Sequence, residues 1–370
     1  MSQIQAAWLR GAEFLLTNQD AAGGWRRSRY GALRGGAAIT AMILYALRYG
    51  PEEFRLAAKK PLAAAADFLR HGLQRRGLIA APDGTLDLPV YAASLALLAE
   101  DDNDLIWSTE HRASLLEYLL NAQIMEARGF ASDHPQIGGW DVGTSPLPRG
   151  ITTGVNVSLT RWALEAITAT ASRMGKMAEQ ATMSQRVREA QSKAIGWLRR
   201  CQNLPGDGGF PFTAEARSSD NKAGFDEATG RGFSYATTTC DGLRGLQAAG
   251  VAPDAPARQT ALAWLEARSE QFARVPGHAT APRQSPDAKA ALSGGWTDGL
   301  WYYFASQVAG LIGEFKDRDR SQAARELLVR ELISRQRADG SWSNASSYMR
   351  EDDPLIATPL ALLALHRLDS

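Results

Sequence analysis

The chain has 370 residues, of which 45% are hydrophobic and 22% charged, a composition typical of a folded globular protein with a large buried core. A net charge of +1 provides no basic stripe for nucleic acid, so a polyanionic partner is not expected. No uncharged apolar stretch approaches the roughly 20 residues that would span a bilayer.

The N-terminal segment, residues 1–16, carries Arg10 and Glu13 among its apolar residues. It is therefore predicted to form an amphipathic helix rather than a signal peptide. We expect a cytoplasmic protein, with peripheral contact to a membrane left open. In a reducing compartment the two cysteines, Cys201 and Cys240, are expected to be free and buried.

From this helix onward, two kinds of helical segment alternate along the chain. One kind is amphipathic. The other is apolar on nearly every side and rich in small residues, as is typical of helices surrounded by other helices. With their turns included, the amphipathic segments are 11–25, 61–74, 115–123, 194–210, 261–272 and 325–342, and the apolar segments are 37–47, 89–99, 155–167, 235–246, 301–312 and 354–365.

Several amphipathic segments end in a glutamine, a glycine-containing turn and an aromatic residue. The first copy, QDAAGGW, runs from Gln19 to Trp25. Because a unique catalytic loop would not be copied along the chain, we interpret this turn as structural. Its glutamine amide is expected to bind backbone groups left free at a helix end, and its aromatic ring to pack there. Later copies contain Gln202 and Phe210, then Gln336 and Trp342, and a weaker copy ends at residues 138–140.

Six helical hairpins, none of which can cover its own apolar face, are best satisfied by closing into a ring. The sequence therefore predicts an all-α fold, an (α/α)6 toroid with six inner and six outer helices, as one domain over residues 1–370. No convincing alternating strand pattern competes with this prediction. Three long connections, 125–150, 206–232 and 273–293, are expected to be either functional or disordered, and functional ones would cover one mouth of the ring.

The repeated turn resembles the Gln-Trp (QW) repeat of squalene-hopene and oxidosqualene cyclases. Their wider superfamily includes class II terpene cyclases and the β subunits of protein prenyltransferases. In length the chain resembles the short, single-toroid bacterial proteins called prenyltransferase/squalene-oxidase-repeat proteins. The resemblance covers essentially the whole chain as repeat architecture. The residues that carry it are Arg10, Gly11, Phe14, Leu15, Gln19, Gly23 and Trp25, then Gln202, Gly208 and Phe210, then Gln336, Gly340 and Trp342.

The resemblance implies a general acid at the start of the last apolar helix, where class II cyclases use an Asp-x-Asp-Asp motif to protonate an alkene or epoxide. Aligned by its final pair, this chain offers Glu351, Asp352 and Asp353 as catalytic candidates, with Asp353 or Asp352 as the acid. Arg350 replaces the first Asp of the motif and is a candidate ligand-binding residue. The alternative is a helix cap, with Asp353 capping and Pro354 at the first helical position.

Aromatic residues crowd the start of the fifth apolar segment, in the sequence GGWTDGLWYYF. An aromatic-lined hollow would suit an isoprenoid or another apolar ligand, and aromatic faces stabilise a carbocation. The alternative is that these rings fill the barrel or wedge its helices apart. The candidate ligand-binding residues are Tyr235, Trp296, Trp301, Tyr302 and Tyr303.

A metal site is not predicted. Cys240, Asp241 and His366 match the zinc ligands of protein prenyltransferases in type, but Cys240 lies early in its helix and His366 late in its own. No CxxC or HxxxH spacing is present. A cyclase would need no redox cofactor, and Mg2+ would matter only for a substrate that keeps a diphosphate. Arginines just upstream of apolar helices are suggestive of such an anion: Arg34, Arg149, Arg231 and Arg350.

The favoured function is an isoprenoid-handling protein, whose enzymatic form would be a class II-type terpene cyclase, an isomerase. Its expected partner is an apolar or isoprenoid small molecule. Two alternatives stay open. One is a non-catalytic toroid that binds an apolar ligand or a protein. The other, less favoured, is a glycoside-active (α/α)6 enzyme with facing carboxylates, for which the candidates are Asp87, Asp241, Asp298 and Asp353.

Overall fold

The computed structural model describes residues 1–26, 29–100, 106–143, 149–174, 179–215, 220–221, 223–277, 299–347 and 349–369. Within these ranges the regular secondary structure is almost wholly helical, as the sequence predicts. The α-helices are α1 (Gln3–Thr17), α2 (Ala37–Leu47), α3 (Glu52–Ala57), α4 (Lys59–Gly72), α5 (Pro89–Leu98), α6 (Thr109–Ala122), α7 (Val157–Met174), α8 (Glu179–Cys201), α9 (Ala236–Ala248), α10 (Pro256–Glu266), α11 (Trp301–Val308), α12 (Arg318–Ser334) and α13 (Pro354–Asp369).

All six predicted apolar segments form helices: α2, α5, α7, α9, α11 and α13. Most residues of each of these helices are buried, as is expected of helices that pack inside a protein. The amphipathic segments form α1, α4, α6, α8, α10 and α12. In α1 the buried residues are Ala7, Trp8, Gly11, Ala12 and Leu15, one stripe at helical spacing.

Contacts between residues group the chain into two compact units. The first unit comprises Met1–Asn18, Cys201–Arg244 and Ala252–Ser370, and the second comprises Gln19–Arg200 and Gly245–Val251. In the first unit α13 packs against α1, α11 and α12; in the second, α5 packs against α2, α6 and α7. Among the helices that the structure describes, none is long and apolar enough to cross a membrane. The expectation of a single domain stays a prediction.

The glutamine of each repeated turn joins its own turn to another amphipathic helix. The Gln336 side-chain amide donates to the carbonyl of Gly340 at 2.9 Å and to that of Ala7, in α1, at 2.8 Å. Two backbone segments are thereby held by one side chain, a contact expected of a structural element. Equivalent pairs of hydrogen bonds run from Gln19 to Gly23 and Pro61, from Gln123 to Gly138 and Ala190, and from Gln202 to Gly208 and Ala257.

The aromatic residue of each turn is fixed by a threonine near the start of the following apolar helix. The backbone N–H of Trp342, a fully buried residue, donates to the Thr358 hydroxyl at 3.1 Å. A buried N–H without such a partner would be costly, which explains a threonine inside an apolar helix. The same bond joins Trp25 to Thr40, Trp140 to Thr160 and Phe210 to Thr239.

A glycine with a left-handed backbone lets each turn approach the same amphipathic helix that the glutamine binds. At Gly340 (φ +86°), a Cβ atom would lie 2.5 Å from the carbonyl oxygen of Arg10, three residues beyond Ala7. Such a contact excludes a side chain. The equivalent glycines are Gly23, Gly138 and Gly208, which face Ala64, Lys193 and Thr260.

At the opposite ends of the apolar helices, arginines bind backbone carbonyls of neighbouring helices. In the second unit Arg48 donates to the Leu98 and Glu100 carbonyls, and Arg173 donates to the Glu100 carbonyl at 3.1 Å. In the first unit Arg367 donates to the Ser306 carbonyl. These cations satisfy orphan carbonyls and complement the negative ends of the helix dipoles.

One feature of the second long connection, 206–232, is not predicted by the sequence. Strands β1 (Phe225–Asp226) and β2 (Arg231–Gly232) form a two-stranded antiparallel hairpin. Asp226 stabilises its turn by accepting from the Ala228 N–H and the Thr229 hydroxyl, each at 2.9 Å. Two-residue strands have no alternating pattern to detect, so this hairpin depends on turn chemistry instead.

Candidate functional site

The acidic segment, defined here as Glu351–Asp353, is buried in the first unit at the start of α13. Its three residues are 1%, 8% and 4% exposed. Arg350, just before it, has a left-handed backbone (φ +70°) and closes a turn in which its carbonyl accepts the Asp353 N–H at 3.1 Å. Three consecutive carboxyl groups are thus withdrawn from solvent, an arrangement that is costly without specific partners.

Asp353 caps α13. Its Oδ1 accepts the Leu355 N–H at 3.0 Å, and Pro354 occupies the first helical position. An N-cap carboxyl group satisfies a backbone N–H that has no partner within the helix. The cap considered as an alternative from the sequence is therefore formed.

Glu351 has a different function in the fold, since it caps α11 rather than its own helix. Its carboxylate accepts the N–H groups of Tyr302 at 2.9 Å and Tyr303 at 2.7 Å, and the Asn344 side-chain amide at 2.5 Å. Burial raises the pKa of Glu351 to about 8, and the N–H groups of Tyr303 and Tyr302 and the charge of Arg335 oppose this shift. The residue links the turn before α13 to the start of α11.

Two of the candidate aromatic residues are fully enclosed. Trp301 and Tyr302 are each 1% exposed, and their rings meet edge to face at 5.1 Å. The Trp301 indole N–H donates to the Phe272 carbonyl at 3.0 Å, and the Arg335 guanidinium lies 3.9 Å from its ring centroid. These contacts are those of rings packed between elements. Trp296 lies outside the residues that the structure describes.

Tyr303 is the one residue of α11 that keeps exposed surface; the other seven are buried. Its hydroxyl donates to Asp241 in α9, at 2.9 Å from Oδ1 and 3.2 Å from Oδ2. Asp241 is 0% exposed. From the sequence, Asp241 was named only as a possible zinc ligand or as a catalytic carboxylate of a glycoside-active enzyme. Its hydrogen bond with Tyr303 was not predicted. The available signal was a lone carboxylate within an apolar helix.

Apolar side chains surround the starts of the same helices. Tyr235, immediately before α9, is 2% exposed and forms a cluster with Phe233 and Ala223. Leu300, which precedes α11, and Met349, which precedes Arg350, pack against this cluster while keeping exposed surface. A partly exposed apolar surface therefore adjoins the acidic segment along the chain.

A cavity of about 590 Å³ lies in the connection that carries the β-hairpin. Asp207 is held at its edge by the Trp264 indole N–H at 3.0 Å and the Ser234 hydroxyl at 2.9 Å. Arg231, one of the arginines proposed for an anion, lines this cavity and donates to the Pro205 carbonyl at 3.2 Å. The cavity is lined by Asn203, Pro205, Gly206, Asp207, the residues 225–229 and 231–233.

The second unit contains counterparts of these contacts. Asp87, fully buried before α5, accepts the N–H of Gly36 at the start of α2, much as Glu351 does for α11. Burial raises the pKa of Asp87, and the N–H groups of Gly36, Gly35 and Ala37 oppose that shift. Tyr91 is the one residue of α5 with exposed surface, and its hydroxyl donates to Ser158 at 2.9 Å.

No group of three or more His, Cys, Asp and Glu side chains among the described residues is arranged to hold a metal ion. Cys240 is 0% exposed, and its neighbour Asp241 is engaged by Tyr303. Burial strongly raises the pKa of the other cysteine, Cys201, which disfavours the thiolate that a metal would need.

No family model and no curated protein matches the chain. Solved structures are similar over nearly its whole length. A variant of the type II terpene cyclase MstE from Scytonema, in complex with the product merosterolic acid A, is 16% identical, with a TM-score of 0.57 over 99% of this chain and 96% of that one. Another MstE variant, in complex with the substrate geranylgeranyl dihydroxybenzoate, is 16% identical, with a TM-score of 0.55 over 99% and 97%. A protein from Actinoplanes is 16% identical, with a TM-score of 0.53 over 99% and 100%.

The likeness to MstE confirms the fold class predicted from the sequence, an all-α toroid of the kind found in terpene cyclases. At 16% identity it shows the fold and leaves the chemistry to be argued from the residues.

Proposed function

We propose that this protein is a terpene cyclase-like enzyme that binds an isoprenoid and cyclises it by protonation. The observation that carries the proposal is the likeness to MstE over 99% of the chain, in a fold that holds a prenylated substrate and its cyclic product in that enzyme. The apolar cluster of Tyr235, with Leu300 and Met349 partly exposed, is suited to contact a hydrocarbon chain.

The acid would come from the acidic segment. Glu351 accepts the N–H groups at the start of α11, and Asp353 accepts the Leu355 N–H as the cap of α13. Asp352, which is 8% exposed and lies between these two residues in the chain, is our first candidate for the general acid, because Glu351 and Asp353 both accept backbone N–H groups as helix caps. Protonation of an alkene in this way requires no redox cofactor, and Mg2+ would be needed only for a substrate that retains its diphosphate.

The test is incubation of the purified protein with squalene, geranylgeranyl diphosphate and geranylgeranyl dihydroxybenzoate, followed by mass spectrometry of the extracts. We expect a cyclic isomer of at least one substrate. Loss of a positioned general acid costs roughly 10²–10⁴ in rate, so Asp352→Asn should abolish detectable product. Asp353→Asn is the matched control, since asparagine caps a helix as well as aspartate does, and it should retain product.

If Asp353→Asn alone abolishes the product, the acid is Asp353 instead. Binding of an isoprenoid without any product, in the wild-type protein and in both variants, would contradict catalysis. That result would support the alternative function of a non-catalytic toroid that carries an apolar ligand.

A further inference from the structure

Besides the helix caps, which bind backbone N–H groups, the structure pairs the side chains of Asp241 and Tyr303. The hydroxyl of this pair belongs to the one residue of α11 with exposed surface, and the carboxylate that accepts from it is completely buried. The two contacts, at 2.9 and 3.2 Å, join the phenol of a partly exposed residue to a buried carboxylate. That is the arrangement of a two-group proton relay, because a phenol can accept a proton on its oxygen while it releases its own.

We propose that Tyr303 and Asp241 remove the proton that ends the cyclisation, an inference that rests on the proposed function. The C–H bond beside the cationic carbon breaks, and its electron pair forms the second bond of an alkene. The proton passes to the Tyr303 hydroxyl oxygen, and the hydroxyl proton passes to the Asp241 carboxylate. A cation and an anion thereby become a neutral alkene and a neutral acid.

The proton balance closes without another reactant. One proton enters the substrate from the general acid, and one leaves it to Asp241, so substrate and product are isomers. Exchange with water then restores both carboxyl groups. Tyr303 is the catalytic residue of this step, and Asp241 is a positioning residue that acts through it. Glu351 fixes the backbone of Tyr303 and directly precedes Asp352 in the chain, so both ends of the reaction depend on one short segment.

The test compares Tyr303→Phe and Asp241→Asn with a matched control, Tyr91→Phe. Tyr91 is also the third residue of an apolar helix and also keeps exposed surface, but its hydroxyl donates to the neutral Ser158. Substrate consumption and product composition are measured for each variant with the substrate that the wild type converts. A structural role would lower all products together, whereas a terminal relay controls their ratio.

We expect the two relay variants to consume substrate at a rate close to that of the wild type. The rate of forming the wild-type alkene should fall by about 100-fold, in favour of alcohols from water capture or of other alkene isomers. Tyr91→Phe should keep the wild-type ratio. Because Asp241→Asn is nearly isosteric, it tests the relay even if Tyr303→Phe does not fold. If the wild type is active and the relay variants give the same ratio of products, the relay is overturned and the proposed function stands. If the wild type consumes no substrate, the proposed function is overturned as well.

Discussion

Replacing Gly340 by alanine tests the close approach of the last turn to α1. The Gly340 backbone has φ +86°, and a Cβ atom there would lie 2.5 Å from the Arg10 carbonyl oxygen. A residue with a Cβ atom lowers the free energy of unfolding by about 1–2 kcal/mol when its backbone is left-handed. Alanine also restricts the unfolded chain more than glycine does, which offsets about 0.4–1 kcal/mol of that loss. The overlap with backbone, which cannot rotate away, adds about 1–3 kcal/mol. We therefore expect Gly340→Ala to lower the free energy of unfolding by about 2–4 kcal/mol.

Gly250→Ala separates the two contributions. Gly250 has nearly the same backbone (φ +81°), but nothing lies within 4 Å of the position its Cβ would take. Gly250→Ala should therefore lower the free energy of unfolding only by the cost of the left-handed backbone, about 1 kcal/mol. Gly23→Ala repeats the experiment in the second unit, where the Cβ would lie 2.3 Å from the Ala64 carbonyl oxygen. Urea unfolding followed by tryptophan fluorescence measures all three variants, and equal losses at Gly340 and Gly250 would refute the close approach.

Three further outcomes are expected. Thr358→Val should cost about 1–3 kcal/mol of unfolding free energy and speed amide exchange at Trp342, whose buried N–H loses its acceptor, while Thr358→Ser should change neither. Asp353→Ala should cost about 1 kcal/mol through loss of the cap, and Asp353→Asn almost nothing, in the same denaturant assay. Burial raises the pKa of Glu351 from 4.5 to about 8, so its contribution to stability is complete below pH 4.5 and is lost as the pH rises towards 8. The wild type should lose stability relative to Glu351→Gln across that interval, and parallel pH curves would contradict the shift.

The helices could be predicted because their signal lies within each segment. The apolar stretch AAITAMILYAL has no polar face to present to water, and α2 occupies those same residues, 37–47. Recurrence of glutamine, glycine and an aromatic residue then indicated an architectural turn. The second partner of each glutamine was not foreseeable, since Gln336 reaches Ala7 across 329 positions of the chain.

The site was harder to predict than the fold, because its contacts join distant segments. From REDDP alone, a cap by Asp353 follows from local rules, and the structure forms it. The binding of Glu351 to the start of α11 does not follow, since nothing near residue 351 indicates which helix lies beside it. The Asp241–Tyr303 contact likewise depends on how two apolar helices are rotated, which a segment without a polar face leaves undefined.

The bond from Gln336 to Ala7 has a consequence for biosynthesis. Ala7, in α1, is translated 329 residues before Gln336, and α13, on which α1 also packs, follows Gln336 in the chain. At 5–20 residues per second, the apolar stripe of α1 waits roughly 20 to 60 seconds for these partners. A circular permutant in which α1 follows α13 through a short linker would translate α12, α13 and α1 consecutively, and it should aggregate less during expression than the natural order.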